Sequence, residues 1–213
     1  MRALEISAGI LDCLPKQFGS HQVVRQWIPK SRPNGPVTSR TGKLLTGFTQ
    51  IVIGDTGWLG LTAREAAKDT GQAYGHFLVD HEVIIECVPA LTSRVGIVEQ
   101  ARFVETRTSA GELDAHETTL AINLCFGGAV KPTAAYDACV GLTAFICKRF
   151  NLRPDTDVRG AGELDFARKD PDRALRAAGS DLEKLKQAVG DKLEKALPEQ
   201  PPAAQAKSES AHA

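Results

Sequence analysis

The stretch with the clearest place for chemistry is FTQIVIGDTGW, residues 48–58. Its apolar run Gln50–Ile53 predicts a short buried strand, and the turn-forming residues 54–57 are expected to end it. Sites are commonly built where a buried strand opens onto a loop, so this strand end is expected to face the functional site. Asp55 lies there, and it most simply caps its own turn. Gly54, the residue best placed for chemistry, has no side chain.

Other signatures of catalysis or metal binding are not found in the sequence. It contains no Gly-x-Ser-x-Gly elbow and no P-loop, and Gly127-Gly128 without a following Lys-Ser/Thr indicates a turn. None of the five cysteines forms a pair with the close spacing of a zinc knuckle. Four of the cysteines lie within apolar runs, which predicts small buried side chains that stay reduced.

The composition argues against several classes of function. The 213 residues carry 26 basic and 26 acidic side chains, so no single-sign field is available to attract nucleic acid or an anionic membrane. No apolar run approaches the roughly 18 residues that a membrane-spanning helix needs. Residues 1–19 are too polar for a signal-peptide core. We therefore expect a cytoplasmic protein with neither a nucleic-acid nor a membrane partner.

The elements that would position a site alternate between helix and strand. Thr62 and Glu65 have the spacing of a capping box and predict a helix after the first strand. Residues 76–89, HFLVDHEVIIECVP, predict a β-hairpin that ends at its proline. Thr119–Phe126 predicts a second buried strand.

Two helices are predicted in the C-terminal half. Pro132–Phe150 has the strongest helical periodicity of the chain, and Asn151 is expected to end that helix. Leucines spaced as an amphipathic stripe predict another helix within residues 171–197, although Gly179 and Gly190 weaken the pattern. This stripe suits docking on a partner or on the domain itself.

The remaining segments have weaker patterns. Residues 94–103 are a candidate strand, residues 106–114 are predicted to be a polar loop, and residues 155–172 are predicted to be irregular. Together the elements predict an α/β protein with a mixed central β-sheet flanked by helices, plus a C-terminal amphipathic helix. The predicted organisation is an N-terminal arm (1–26), a main domain (27–175), the amphipathic helix (176–197) and a disordered tail (198–213).

The order of these segments resembles that of the zinc-dependent N-acetylmuramoyl-L-alanine amidases of the second type, whose fold is shared with peptidoglycan recognition proteins. The resemblance covers about residues 27–175, and no single segment carries it alone. It rests on IPKSRP, IVIGDTGW with the TARE helix, GHFLVDHEVIIECVP, LAINLCFGG, AYDACVGLTAFICKRFNL and DVRGAGELDFARKDPDRAL. The resemblance implies an amidase-like domain over residues 27–175.

In the resembled family, two histidines and an Asp, Cys or His hold zinc, and a strand glutamate assists the water that the metal activates. On this sequence the histidine positions are Gly54 and Ala161, the glutamate position is Asn123, and only Asp170 is retained as a ligand. One carboxylate cannot hold zinc at useful affinity. We therefore expect no zinc cofactor and no catalytic residue, with Gly54, Asn123 and Ala161 as vestigial positions.

Two alternative arrangements could still form a functional site. In the first, His76, His116 and Asp170 converge on a displaced metal site, although each histidine is more simply a surface or hydrogen-bonded side chain. In the second, Asp55 and Asp170 form a metal-free acid pair. His76 and Asp170 are the residues that we expect to take part in binding.

Two functional hypotheses follow from the resemblance. The replaced positions favour a catalytically inactive amidase-fold protein that is reused for binding or as a structural component, for example of a phage or phage-like particle, where its location would be the virion. The alternative is an active zinc-dependent peptidoglycan amidase, similar to an endolysin, that hydrolyses the N-acetylmuramoyl-L-alanine bond. The expected partners are other protein subunits, bound through the C-terminal helix, and a peptidoglycan fragment.

Overall fold

The computed structural model describes residues 17–18, 20–26, 49–68, 75–87, 90, 106–108, 111–113, 119–164 and 170–195. The strands are β1 (Gln17–Phe18), β2 (His21–Arg25), β3 (Gln50–Leu59), β4 (Phe77–Val79), β5 (Val83–Glu86), β6 (Thr106–Thr108), β7 (Gly111–Leu113), β8 (Thr119–Phe126) and β9 (Val158–Gly160). The helices are α1 (Ala63–Ala66), α2 (Pro132–Phe150), α3 (Pro154–Asp157), α4 (Ala161–Leu164), α5 (Asp172–Ala177) and α6 (Leu182–Lys195).

Within the described residues, seven strands form one mixed sheet in the order β1-β2-β5-β4-β8-β3-β9. β8 pairs in parallel with β3 on one side and with β4 on the other, and β3 also pairs in parallel with β9. The β4–β5 hairpin is antiparallel, and β5 pairs in parallel with β2. The predicted α/β class with a mixed central sheet is confirmed.

The two central strands are buried on both faces. Side chains of β3 and β8 on one face, such as Ile53 and Ile122, join a core cluster with Leu142 of α2. On the opposite face, Val52 of β3 packs in a second cluster with Ala161. This double burial explains why both strands contain nearly continuous apolar runs, as parallel strands between two layers do.

Several elements have the predicted positions. α2 and β8 begin and end at the predicted residues, and Asn151 ends α2 in the left-handed conformation (φ 54°). The Thr62 hydroxyl accepts from the Glu65 N–H, and the Glu65 carboxylate accepts from the Thr62 N–H, so the capping box of α1 is confirmed. The predicted hairpin is also present as β4 and β5.

β3 is longer than predicted. The sequence was expected to turn after Ile53, yet β3 continues to Leu59 and includes Gly54 and Asp55. Gly54 pairs with Asn123 of β8, and the pairing becomes irregular only beyond Asp55. Backbone pairing with β8 overrides the turn propensity of these residues, and that tertiary effect is not visible in a local pattern.

Other differences concern short elements. Residues 106–114 were predicted to be a polar loop, but they contain the two-stranded pair β6–β7. Residues 155–172, predicted to be irregular, contain α3, β9 and α4. Such elements have three or four residues, which is too few for a detectable period. The candidate strand 94–103, His116 and the predicted tail lie outside the described residues.

The predicted C-terminal helix is divided at Gly179, whose φ of 73° separates α5 from α6. The apolar stripe of α6 faces the domain, where Leu185 and Val189 are fully buried in the core cluster that contains α2. At the other end of the chain, β1 and β2 lie within the predicted N-terminal arm and form an edge of the sheet. No helix in the described part of the chain is long and apolar enough to cross a membrane.

We predict that Leu185→Ala destabilises the protein by about 2–5 kcal/mol, because it removes a fully buried side chain and leaves a cavity between α6 and the core. The free energy of unfolding from urea denaturation measures this effect. The matched control on the exposed side of the same helix is Lys192→Ala, which should change the value by less than about 0.5 kcal/mol. Equal effects of the two substitutions would show that α6 does not contribute to the core.

Candidate functional site

The four positions that the resemblance assigns to the site lie together, two within β3 and β8, one directly after the end of β9 and one shortly before α5. Gly54 on β3 is the register partner of Asn123 on β8. The neighbouring pair Ile53–Gly160 places Ala161 directly after the strand on the other side of β3. The Gly162 N–H donates to the Asp170 carbonyl at 2.8 Å, which brings Asp170 to the same place. We call Gly54, Asn123, Ala161 and Asp170 the strand-end cluster.

The space beside Gly54 is filled by two polar side chains. A Cβ atom at this residue would lie 2.5 Å from Asn123 Oδ1 and 3.0 Å from Asp170 Oδ2. Asn123 and Asp170 are both buried, with 9% and 7% of their surface exposed. The φ angle of Gly54 lies outside the left-handed region, so its backbone does not require glycine. The neighbouring side chains, and not the backbone, disfavour a larger residue there.

Ala161 completes the cluster with an apolar contact. It is 1% exposed and packs with Val52, Ala121 and Leu164. Its methyl group offers no lone pair to a metal and no proton to a substrate. Ala161, which the resemblance assigns to the second histidine position, is therefore part of a hydrophobic cluster.

The donors of the strand-end cluster do not fit a zinc site. Gly54 and Ala161 supply none, which leaves one carboxylate, Asp170, and one neutral amide oxygen, that of Asn123. Zinc sites in proteins use at least three protein ligands drawn from Cys, His, Asp and Glu. Among the residues that the structure describes, no group of three such side chains could hold a metal ion.

Asp55 connects the end of β3 to α5. Its Oδ1 accepts the Gly57 N–H at 2.7 Å, as the predicted turn cap would, and also accepts from the Arg173 guanidinium at 3.1 Å. Its Oδ2 is buried and has no hydrogen-bond partner among the described residues. Because adjacent residues of a strand point to opposite faces, Asp55 is directed away from the Gly54 side of β3.

Burial is the main influence on the pKa of Asp55 and raises it above its ordinary value of 3.8. The Gly57 N–H and the Arg173 guanidinium oppose this shift, whereas the nearby Asp170 carboxylate adds to it. The folded protein therefore binds a proton at Asp55 more tightly than the unfolded chain does. The hypothesis of an Asp55–Asp170 acid pair stays a prediction. One oxygen of Asp55, Oδ1, already accepts hydrogen bonds from Gly57 and Arg173.

His76 has a structural hydrogen bond on another part of the sheet. It is fully buried, and its Nδ1 accepts the Ala121 N–H at 3.0 Å. A ring nitrogen that accepts must be unprotonated, so in the neutral imidazole the proton is on Nε2 and neither nitrogen offers a free lone pair. β8 separates His76 from Gly54. His76 is thus on the far side of β8 from β3, and His116 lies outside the described residues.

Arg173 is the residue near the cluster that sequence reasoning missed. Its guanidinium contacts Asp55 and lies 5.4 Å from the centre of the Phe126 ring, at the end of β8. These two partners are far from Arg173 in the sequence and come close only when α5 packs beside the strand ends. A basic residue within the local sequence DPDRAL gives no signal of these contacts.

The mixed sheet flanked by helices is an amidase-type α/β fold. The family model described as N-acetylmuramoyl-L-alanine amidase matches residues 47–173, more than half of the chain. The chain therefore belongs to the N-acetylmuramoyl-L-alanine amidase family. This family is typically zinc-dependent.

Solved structures share this fold. Staphylococcus aureus hydrolase AmiA in complex with its ligand has a TM-score of 0.60 at 16% identity, covering 90% of this chain and 93% of that one. A mutant endolysin from Bacillus subtilis has a TM-score of 0.58 at 15% identity, covering 80% and 99%. The PlyG catalytic domain has a TM-score of 0.57 at 14% identity, and the match covers 84% of this chain and 99% of that one. Comparison with curated protein sequences gives no match.

We predict that Asp55→Asn changes the pH dependence of stability. A raised pKa in the folded state means that proton binding favours folding, so the contribution of Asp55 grows as pH falls and is lost as pH rises above 3.8 and through the folded-state value. The free energy of unfolding of the wild type, relative to that of the variant, should therefore increase from neutral pH toward pH 3.8. Urea denaturation at a series of pH values measures this difference.

Asp172→Asn is the control for this experiment. It removes an exposed carboxylate at the first residue of α5, next to Arg173, the partner of Asp55. Its difference from the wild type should not reproduce the Asp55 trend. Parallel pH profiles for the wild type and Asp55→Asn would contradict the prediction.

Proposed function

We propose that this chain is an amidase-family protein that has lost zinc-dependent hydrolysis and serves in binding. The observation that carries the proposal is the strand-end cluster, in which Gly54 and Ala161 stand at the two histidine positions. With Asp170 as the only ionisable donor, the cluster falls short of the ligand number that holds zinc. Without a bound metal there is no Lewis acid to polarise the amide carbonyl and no activated water.

The loss of acid–base chemistry supports the same proposal. Asn123 stands at the position of the assisting glutamate, and a neutral amide does not take up a proton near neutral pH. Its Oδ1 lies over Gly54 in place of a side chain at that residue. One replaced position would leave a weakened enzyme, whereas the replacement of two ligands and the glutamate removes each part of the mechanism.

The ligand that we propose is a peptidoglycan fragment, bound without cleavage. The sheet that carries the strand-end cluster keeps its parallel β8–β3–β9 pairing, so the surface around the former site is still supported. A protein partner bound through α6 is the other proposed interaction. Because Leu185 and Val189 are buried against the domain, such a partner would have to contact the charged outer side of α6.

We predict that the purified protein, incubated with zinc and then dialysed, retains much less than one equivalent of metal and does not clear a suspension of bacterial cell walls. Metal analysis and a turbidity assay measure these two properties, with an active zinc amidase of the family as the positive control. Stoichiometric zinc together with cell-wall hydrolysis would contradict the proposal and support the alternative, an active endolysin-like amidase.

Binding without cleavage needs its own measurement. The protein should co-sediment with insoluble peptidoglycan, and the sedimented material should release no new amino groups. Failure to co-sediment would contradict the proposed ligand and leave the protein-partner proposal to be tested by pull-down with wild-type and α6-surface variants.

A further inference from the structure

We infer that Gly54 and Asn123 are coupled replacements, in which the Asn123 side chain has taken the space of a residue-54 side chain and the former metal position has become a packing centre. The inference deepens the proposed function, because it concerns the same positions. It rests on the packing of the Asn123 side chain beside Gly54, however. It predicts how substitutions at these two residues change protein stability, which can be measured without any assay of activity. Restored metal ligands should therefore bind a metal ion more weakly when Asn123 is present than when it is also replaced.

The contacts at Gly54 support this coupling directly. A distance of 2.5 Å between a Cβ and Asn123 Oδ1 is shorter than real Cβ atoms tolerate, so one of the two groups would have to move. The backbone of Gly54 is in an ordinary conformation, which leaves side-chain contact as the reason for glycine. Asp170 Oδ2 would lie 3.0 Å from the same Cβ and therefore also occupies the space beside Gly54. A Cβ at residue 54 therefore requires the ends of the Asn123 and Asp170 side chains to move, and because both are buried we expect that movement to cost stability.

The segment that carries Ala161 is held in place by packing of its own. The Gly160 N–H donates to the Glu163 carboxylate at 2.8 Å. Lys186 of α6, only 8% exposed, lies between Glu163 at 3.9 Å and Glu183 at 2.9 Å. Leu182 of α6 also lies against Gly160, where an added Cβ would be 3.2 Å from its Cδ2 atom.

α6 follows the region matched by the amidase family model, which ends at residue 173. Its contacts with Gly160 and Glu163 therefore support the strand-end cluster from outside the matched region. Ala161 is also buried among Val52, Ala121 and Leu164. As a result, β3, α4 and α6 pack together at this part of the sheet. A metal site there would have to displace packed groups as well as gain ligands.

The first test compares zinc binding by Gly54→His/Ala161→His, which keeps Asn123, with zinc binding by the same variant carrying Asn123→Ala. Competition with a chromophoric chelator measures affinity, and the visible spectrum of bound Co²⁺ reports the ligand geometry. The variant lacking Asn123 should bind about tenfold more tightly or better, because the clash no longer opposes the histidine. Wild type and Asn123→Ala are the controls. Equal affinity with and without Asn123 would overturn the inference.

The second test uses thermal unfolding and needs no metal. Gly54→Ala should lower Tm by roughly 3–10 °C when Asn123 is present, as overpacking of a buried site does. In an Asn123→Ala background the same substitution should lower Tm by less than half as much. Additive effects in this double-mutant cycle would overturn the inference even if the histidine variants fail to fold.

The matched control is Gly190→Ala in α6, where an added Cβ meets no atom within 4 Å. It should leave Tm unchanged or raise it, since alanine favours a helix over glycine. The two proposals can be contradicted independently. Stoichiometric zinc and cell-wall hydrolysis by the wild type would contradict the proposed function. Equal zinc affinities with and without Asn123, or additive changes in Tm, would contradict the coupling of Gly54 and Asn123.

Discussion

The parallel pairing of β3 with β8 is the constraint on which the rest of the structure depends. It places Gly54 opposite Asn123 and extends β3 through residues whose own propensity favours a turn. β9 then adds to the other side of β3, which brings Ala161 and Asp170 beside Gly54. The two helices that follow, α5 and α6, pack against the core from there. The loss of this register would separate the strand-end cluster and remove the support for both helices.

The proposed loss of the metal site is compatible with the persistence of the fold. A family position that carries a metal ligand costs stability, since a polar group must be held at a partly buried place. Ala161 instead contributes to a hydrophobic cluster, and Gly54 makes room for the Asn123 amide. In the proposed function, donors are thus exchanged for packing while the sheet around them is kept. Membership of the amidase family and the proposed loss of hydrolysis are compatible for this reason.

Contacts between distant segments then fix the end of the domain. Arg173 connects α5 to Asp55, and Lys186 connects α6 to Glu163. Both pairs include a group that is largely buried, so their environment differs from that of an exposed ion pair, which contributes little. Leu185 and Val189 of the same helix α6 add buried apolar surface, which stabilises the fold through the hydrophobic effect.

The sequence by itself determined the elements with a clear period and the family to which the chain belongs. α2 and β8 were predicted with their observed bounds, and the Thr62–Glu65 spacing predicted its capping box, because these signals are local. The resemblance also named the four residues of the cluster, but only the structure showed that they lie together. The tertiary structure decided the length of β3, the existence of β9 and the partner of Asp55. Each of these depends on pairing or packing between residues far apart in the chain, and a local pattern carries no information about such contacts. The filling of the Gly54 space by Asn123 was likewise decided in three dimensions, because a sequence records that a side chain is absent but not which neighbour occupies its place.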